Sequence, residues 1–141
     1  MLVIKPIQEK DVQKKLAEKC GCKYEESAFA YAARECESDG ETVKYTIGIC
    51  QFTLCNGEGQ IISIRTVPGV EDDEALMIMT RTVMNFMFRC EVPVAEMLPD
   101  AADDALKDKL GFVLGKDGRR TIDLALFYES PCHYNETLKK A

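Results

Sequence analysis

Four consecutive acidic residues, Glu71 to Glu74, stand where a predicted strand passes through a Pro-Gly turn into a predicted helix. The first N–H groups of a helix have no intrahelical partners, and the helix dipole favours an anion there, so many folds bind a phosphate at such a place. Here the chain's own carboxylates occupy it. The pattern leaves two interpretations open: a cofactor cradle, or a helix start stabilised by acidic residues.

The cysteines offer a second set of reactive groups. There are seven, an odd number that does not fit a complete set of intramolecular disulfides. Cys20 and Cys22 are the one close pair, and a zinc site would need a second pair or histidines at a defined spacing. Cys132 adjoins His133, the only histidine, but neighbouring residues rarely face each other as a catalytic dyad must. We therefore expect reduced structural thiols and no metal site.

Composition narrows the classes of partner. The 141 residues suit one domain, and a net charge of −6 weighs against a nucleic-acid or anionic-membrane partner. No apolar run approaches the ~20 residues of a membrane-spanning helix. The first residues lack the pattern of a signal peptide, so we expect a cytoplasmic protein.

Hydrophobic periodicity and turn residues predict the order β-α-β-β-β-α-β-α-β-β. This order predicts an α+β domain with a mixed sheet, helices on both faces, over residues 1–129, followed by a polar C-terminal tail over 130–141. The predicted strands are 2–6, 28–37, 42–54, 60–67, 92–98, 112–114 and 121–128. The predicted helices are 8–19, 72–89 and a short one opened by Pro99-Asp100.

Three local features in this order carry a resemblance. A hairpin turns at Asp39-Gly40 and feeds a third long strand that ends in Thr66-Val67-Pro68 before the main helix. The strand 92–98 lies between two helices, and Leu110-Gly111-Phe112 follows the short helix and precedes a terminal hairpin. Together, over residues 2–129, the set resembles the GNAT superfamily of N-acetyltransferases.

The resemblance implies that the cofactor is acetyl-CoA, bound where the fourth and fifth strands splay apart. Backbone groups of Ile64, Arg65, Thr66 and Val67 would hold the pantetheine and polarise the thioester carbonyl. The loop after this strand would bind the pyrophosphate through N–H groups.

In that loop the expected cofactor contacts include Glu74 and Ala75, at the start of the helix. The family pattern Arg/Gln-x-x-Gly-x-Gly/Ala places its basic residue on Glu71, its first glycine on Glu74 and its last small residue on Leu76. All three positions depart from the pattern. We therefore expect a degenerate loop that forms no strong pyrophosphate site.

The resemblance also implies a proton donor for the leaving thiolate. The position of the family's usual tyrosine is Lys107 here, which on a helix rich in aspartate is expected to be a solvated surface residue. Tyr128, on the predicted last strand, is an alternative donor. Glu35, at the end of the second strand, is a candidate general base for an amine.

The sequence is therefore compatible with two functions. One is a GNAT-like acyltransferase that moves an acetyl group from acetyl-CoA to an amine of a small substrate. The other is a GNAT-fold protein without catalysis, which binds another ligand in the cleft or acts by protein–protein contact. An unrelated α+β interaction domain is a third interpretation, and the splayed strands would exclude it. The sequence leaves the substrate and the oligomeric state, including a homodimer, undetermined.

Overall fold

A computed structural model describes residues 1–129 of the chain. The predicted tail 130–141, with Cys132 and His133, lies outside the described residues. Seven strands form one sheet in the order β1-β2-β3-β4-β5-β7-β6. They are β1 Leu2–Pro6, β2 Phe29–Cys36, β3 Val43–Cys55, β4 Glu58–Thr66, β5 Val94–Met97, β6 Val113–Leu114 and β7 Arg120–Asp123. The helices are α1 Lys10–Lys19, α2 Asp73–Arg89, α3 Asp104–Leu110 and α4 Leu124–Glu129.

The sheet is mixed because one of its strand pairs is parallel. β4 and β5 run in the same direction, whereas the other neighbouring strands are antiparallel. A parallel pair needs a crossover connection, and α2 provides it. The predicted α+β class and mixed sheet are confirmed.

Helices cover both faces of the sheet. On one face Ala32 and Ile49 pack against Leu16 of α1. On the other face Phe52 of β3 belongs to the larger core, together with Met79 and other apolar residues of α2. Because side chains alternate along a strand, β2 and β3 can supply both cores at once. The predicted arrangement of helices is confirmed, and none of the described helices is long and apolar enough to cross a membrane.

The last predicted strand, 121–128, is wrong in its second half. β7 ends at Asp123, whose carboxylate accepts the backbone N–H of Leu126 at 2.9 Å and so caps α4. Tyr128 therefore lies on a helix. The apolar run Leu124–Tyr128 has no clear period, so its length alone did not separate a strand from one and a half helical turns.

The predicted start of the short helix is also wrong. α3 begins at Asp104, and its cap is Asp103, whose carboxylate accepts the N–H of Leu106 at 2.8 Å. Asp100, the expected first residue, belongs to the preceding turn. At its other end α3 stops at Gly111, where a φ of 91° lets the chain reverse toward buried Phe112.

Candidate functional site: the gap between β4 and β5

The candidate site is the place where β4 and β5 stop pairing. Their register runs from Glu58 opposite Val94 to Ile61 opposite Met97, and β4 then continues to Thr66 paired with β3 only. At this point the register between β3 and β4 also shifts, because Ile62 is an extra residue on β4. A bulge bends its strand and is common beside active sites. The strands therefore diverge where the resemblance places the thioester.

A short segment, residues 98–101, spans the gap, and we call it the strap. At one end the N–H of Leu98 donates to the carbonyl of Ile61 at 3.0 Å. At the other end the N–H of Ile64 donates to the carbonyl of Ala101 at 2.8 Å. The backbone donor of Ile64, which the sequence assigned to the cofactor, is thus already satisfied within the chain.

Two cationic side chains hold the carbonyls of the strap. The guanidinium of Arg65 donates to the carbonyls of Asp100 and Ala101 and, at 2.9 Å, to that of Ile64. The ammonium of Lys107 donates to the carbonyl of Pro99 at 2.8 Å. Hydrogen bonds from a charged donor contribute more than neutral ones. Each of the three carbonyls from 99 to 101 therefore has a charged partner.

The predicted exposure of Lys107 is wrong. It was expected in solvent, but only 4% of the residue is exposed, and its ammonium makes an ion pair with Asp104 at 3.5 Å. The side chain turns inward because the strap passes beneath α3 and offers an acceptor. Sequence analysis missed this contact, since no pattern in the sequence places Pro99 under Lys107.

Two cavities flank the strap on opposite faces of the sheet. Cavity A, about 280 Å³, lies on the α2 side, between β4, α2 and α3, and its lining includes Ile64, Leu76 and Leu106. Cavity B, about 420 Å³, lies on the α1 side, where its lining includes Cys22 and Ser63. Arg65 lines both cavities and so stands between them.

A buried amide network holds the wall of cavity B. The side chain of Gln51 donates to the Ser63 hydroxyl at 3.0 Å and to the Lys23 carbonyl at 2.9 Å. Its oxygen accepts from the Gln13 amide at 3.0 Å and from the Glu25 N–H at 3.1 Å. Buried polar groups need such partners. The network therefore ties α1 and the segment after it to β3 and β4.

A glycine lets β3 approach β4 at the same level. Gly48 lies opposite Thr66, and a Cβ built on it would stand 2.3 Å from the Arg65 carbonyl oxygen. No real side chain fits at that distance, so any other residue would displace the backbone that carries Arg65. Nothing in the sequence beyond the glycine itself signals this requirement.

At the start of α2 an aspartate accepts one of the N–H groups of the first turn. The Asp72 carboxylate accepts the N–H of Ala75 at 3.0 Å, and Glu74 is exposed in the first turn. Thr66 lines cavity A, and the N–H of Val67 donates to the Ile47 carbonyl at 2.8 Å. The backbone donors of Val67 and Ala75, two of the predicted cofactor ligands, are therefore engaged within the chain.

Two of the predicted catalytic side chains lie away from the gap. Glu35 is on β2, where it pairs with the N-terminal ammonium of Met1, and it lines neither cavity A nor cavity B. The hydroxyl of Tyr128 donates to the Arg81 carbonyl at 3.0 Å, and its ring stacks on Phe88 at 5.1 Å between centroids. Burial raises the pKa of Tyr128. Both side chains thus have structural partners at these positions.

Solved structures give the architecture a name. The chain is similar to an IAA acetyltransferase from Bacillus cereus, with 16% identity, a TM-score of 0.62, and coverage of 82% of this chain and 79% of that one. It is also similar to mutant forms of the spermidine/spermine N-acetyltransferase SpeG from Vibrio cholerae, with 10% identity, a TM-score of 0.65, and coverage of 92% and 98%. The chain has the GNAT fold.

A third similar structure is a NatC complex bound to a Gag peptide and CoA, with 14% identity, a TM-score of 0.61, and coverage of 86% of this chain and 98% of that one. No family model matches the sequence, and no curated protein is similar enough to match. The predicted resemblance to the GNAT superfamily is confirmed at the level of the fold.

Proposed function

We propose that this GNAT-fold chain is an acyltransferase that moves an acetyl group from acetyl-CoA to the amine of a small substrate. The observation that carries the proposal is the pair of cavities on opposite faces of the sheet, both lined by Arg65, where β4 and β5 stop pairing. Two reactants held on either side of one gap can meet end to end, and such positioning can supply roughly 7–11 kcal/mol of the barrier.

Cavity A is the proposed site of the acyl donor. Its apolar side chains suit a pantetheine arm, and Thr66 brings the exposed edge of β4 to its wall. Backbone N–H directions alternate along a strand, so the N–H of Thr66 points to the same side as that of Ile64. Because the N–H of Ile64 is already hydrogen-bonded to the strap, we assign the contact with the thioester carbonyl to the N–H of Thr66.

Cavity B is the proposed site of the acceptor. Its lining includes the acidic residues Glu25 and Asp100 and the cationic residues Lys23 and Arg65. Because Glu25 pairs with Lys23 at 3.7 Å, Asp100 is the carboxylate that we assign to a protonated amine. In the reaction a neutral amine nitrogen attacks the thioester carbon, a C–N bond forms and the C–S bond breaks. The nitrogen loses a proton, and the departing thiolate of CoA gains one.

The strap must leave the gap before this reaction can take place. In the described arrangement the Arg65 guanidinium holds the carbonyls of Asp100 and Ala101, and Arg65 lines both cavities. A state with the strap displaced costs the hydrogen bonds to Arg65 and Lys107. Binding to such a minor state is weakened in proportion to its population. We therefore expect acetyl-CoA to bind weakly to the wild-type chain.

The test combines calorimetry with acetyl-CoA and mass analysis of amines incubated with acetyl-CoA and protein. Mass is the readout because the seven cysteines would react with a thiol dye. We expect Arg65→Gln to bind acetyl-CoA about three- to tenfold more tightly than wild type, since the strap loses its charged partner. Arg89→Gln, at the far end of α2, is the matched control and should behave as wild type.

A second candidate function is a GNAT-fold protein without catalysis. The engaged N–H groups of Ile64 and Ala75 and the acids before α2 favour it. If neither wild type nor Arg65→Gln binds acetyl-CoA or yields an acetylated amine, this candidate replaces the acyltransferase.

A further inference from the structure

A third cavity lies far from the strap, at the edge of the sheet where β2 begins. It measures about 390 Å³, within the range of small-molecule sites. Its walls include four aromatic rings, those of Phe29, Tyr31, Phe52 and Phe86. Neighbouring ring centroids in this group are 5.7–6.4 Å apart, in tilted or edge-on pairs. We call it the aromatic pocket.

The aromatic pocket leaves apolar surface in contact with solvent, which is energetically unfavourable. Phe29 is 52% exposed although it touches two of the other rings. Burial raises the pKa of Tyr31, so its hydroxyl is neutral at physiological pH. A neutral, ring-lined wall of this kind binds an apolar body through surface removed from water, at about 25 cal/mol per Å².

One side of the aromatic pocket is cationic. Among the described residues, Lys10 is the one charged residue that lines it. Its ammonium donates to the Gln13 side-chain oxygen at 3.2 Å and to the Ala28 carbonyl, which fixes it at the rim. An ammonium has three donors, so one remains for a ligand.

The start of α1 carries charges of both signs: Lys10 lies between Glu9 and Asp11, and of these three residues Lys10 alone lines the pocket. Lys10 is its first residue, and the side chain of Glu9, the residue before it, makes no capping hydrogen bond within the described part of the chain. Uncapped first-turn N–H groups and the helix dipole both favour an anion. A ring-lined cavity and a cationic rim therefore meet at one place.

We propose that the aromatic pocket binds a small carboxylic acid with an apolar body, in a site separate from the β4–β5 gap. The body lies among the four rings, and the carboxylate lies against the Lys10 ammonium. The ring walls account for affinity, and Lys10 accounts for the preference for an acid over a neutral analogue.

The test uses 4-phenylbutyrate and its uncharged counterpart 4-phenylbutan-1-ol, each titrated into the full chain by calorimetry and by ¹H–¹⁵N spectra. We expect the acid to bind with a Kd below about 1 mM and at least tenfold more tightly than the alcohol, a difference of about 1.4 kcal/mol. The shifted amide signals should include those of Phe29 and Tyr31.

Matched variants separate the two parts of the proposal. Lys10→Gln should remove the preference for the acid, whereas Lys14→Gln, on the same helix, should keep it. Phe29→Ser should weaken both ligands at least tenfold. Tyr45→Ser changes a side chain of equal exposure (50%) on β3 and should weaken neither.

Three binding results would overturn the proposal, and a fourth result concerns the oligomeric state. The binding results are no binding of the acid at about 10 mM, equal affinity for acid and alcohol, or an unchanged preference in Lys10→Gln. Sedimentation measurements on the same samples address a second copy of the chain. A dimer that Phe29→Ser abolishes and the acid does not dissociate would make the patch an interface and refute the site.

Discussion

The helix starts around the gap and the helix start beside the aromatic pocket differ in how their first N–H groups are satisfied. α2 and α3 each begin after an aspartate, Asp72 or Asp103, whose carboxylate accepts an N–H of the first turn at 3.0 or 2.8 Å. α1 begins after Glu9, which gives no such bond among the described residues, and its first residue is Lys10. By this measure the starts of α2 and α3 are closed to an anion and that of α1 is more open, with Lys10 placed between the carboxylates of Glu9 and Asp11.

The difference teaches that a fold does not fix where anions bind. In the GNAT fold the resemblance implies a pyrophosphate at the start of α2, where this chain carries Glu71 to Glu74. At an effective dielectric of about 20, a like charge ~4 Å from a phosphate costs on the order of 4 kcal/mol, above the 0.3–2 kcal/mol of a helix dipole. The side chains at the start of a helix therefore decide whether an anion binds there.

The largest effect is expected from changing the start of α2 so that it can bind an anion. We expect Glu71→Arg combined with Glu74→Gly to raise acetyl-CoA affinity about 10- to 100-fold by calorimetry, because repulsion is replaced by attraction and a Cβ is removed. The gain should shrink at high salt. Glu26→Arg with Glu41→Gly makes the same change of net charge elsewhere and should leave the affinity unchanged. An equal gain in that control would show that net charge, rather than the loop, limits binding.

A smaller effect is expected from replacing the residue before each helix by alanine. Asp72→Ala and Asp103→Ala should each lower the free energy of unfolding by about 1 kcal/mol (0.5–2), the usual contribution of a capping carboxylate. Glu9→Ala should change it by less than about 0.3 kcal/mol. Urea unfolding followed by circular dichroism measures all three. A loss of about 1 kcal/mol in Glu9→Ala would mean that α1 is capped as the others are.

The smallest effect concerns the other end of α1. Burial, followed by the neighbouring Cys22, raises the pKa of the Cys20 thiol from 9.0 to about 11 at this C-cap. In the unfolded chain the thiol ionises near pH 9, so its contribution to stability is complete below that pH and is lost as the pH rises toward 11. Between pH 8 and 10 we expect wild type to lose about 1 kcal/mol more than Cys20→Ala. Exposed Cys55→Ala is the control.

The elements that depend on hydrophobic period and on turn residues could be predicted from the sequence. The strands β1 to β4 and the helix α2 were placed within a few residues, because long alternating or helical patterns and turns such as Asp39-Gly40 are local signals. The apolar run after Asp123 was too short for its period to be read. The cap of α3 was displaced because Asp100, Asp103 and Asp104 are all capping residues, and only the packing of the strap selects Asp103.

The candidate site was predicted as a place and not as a set of contacts. The divergence after Ile61 follows from strand order, which the resemblance supplied. The strap carbonyls that accept from Arg65 lie 35 and 36 residues away in sequence, and the one that accepts from Lys107 lies 8 residues away. Every residue has a carbonyl. No residue type signals such an acceptor. The aromatic pocket was missed for the related reason that its four rings come from three separate elements.

The pairing of β4 with β5 also bears on how the chain folds. β2, β3 and β4 meet through short turns, whereas Gln60 and Glu96, which face each other across the parallel pair, are 36 residues apart in sequence. Closing a longer loop costs more chain entropy, and contacts distant in sequence tend to form later. The antiparallel meander is therefore the part that can assemble early. The gap, with its strap and both cavities, is completed only when the last third of the chain docks onto it.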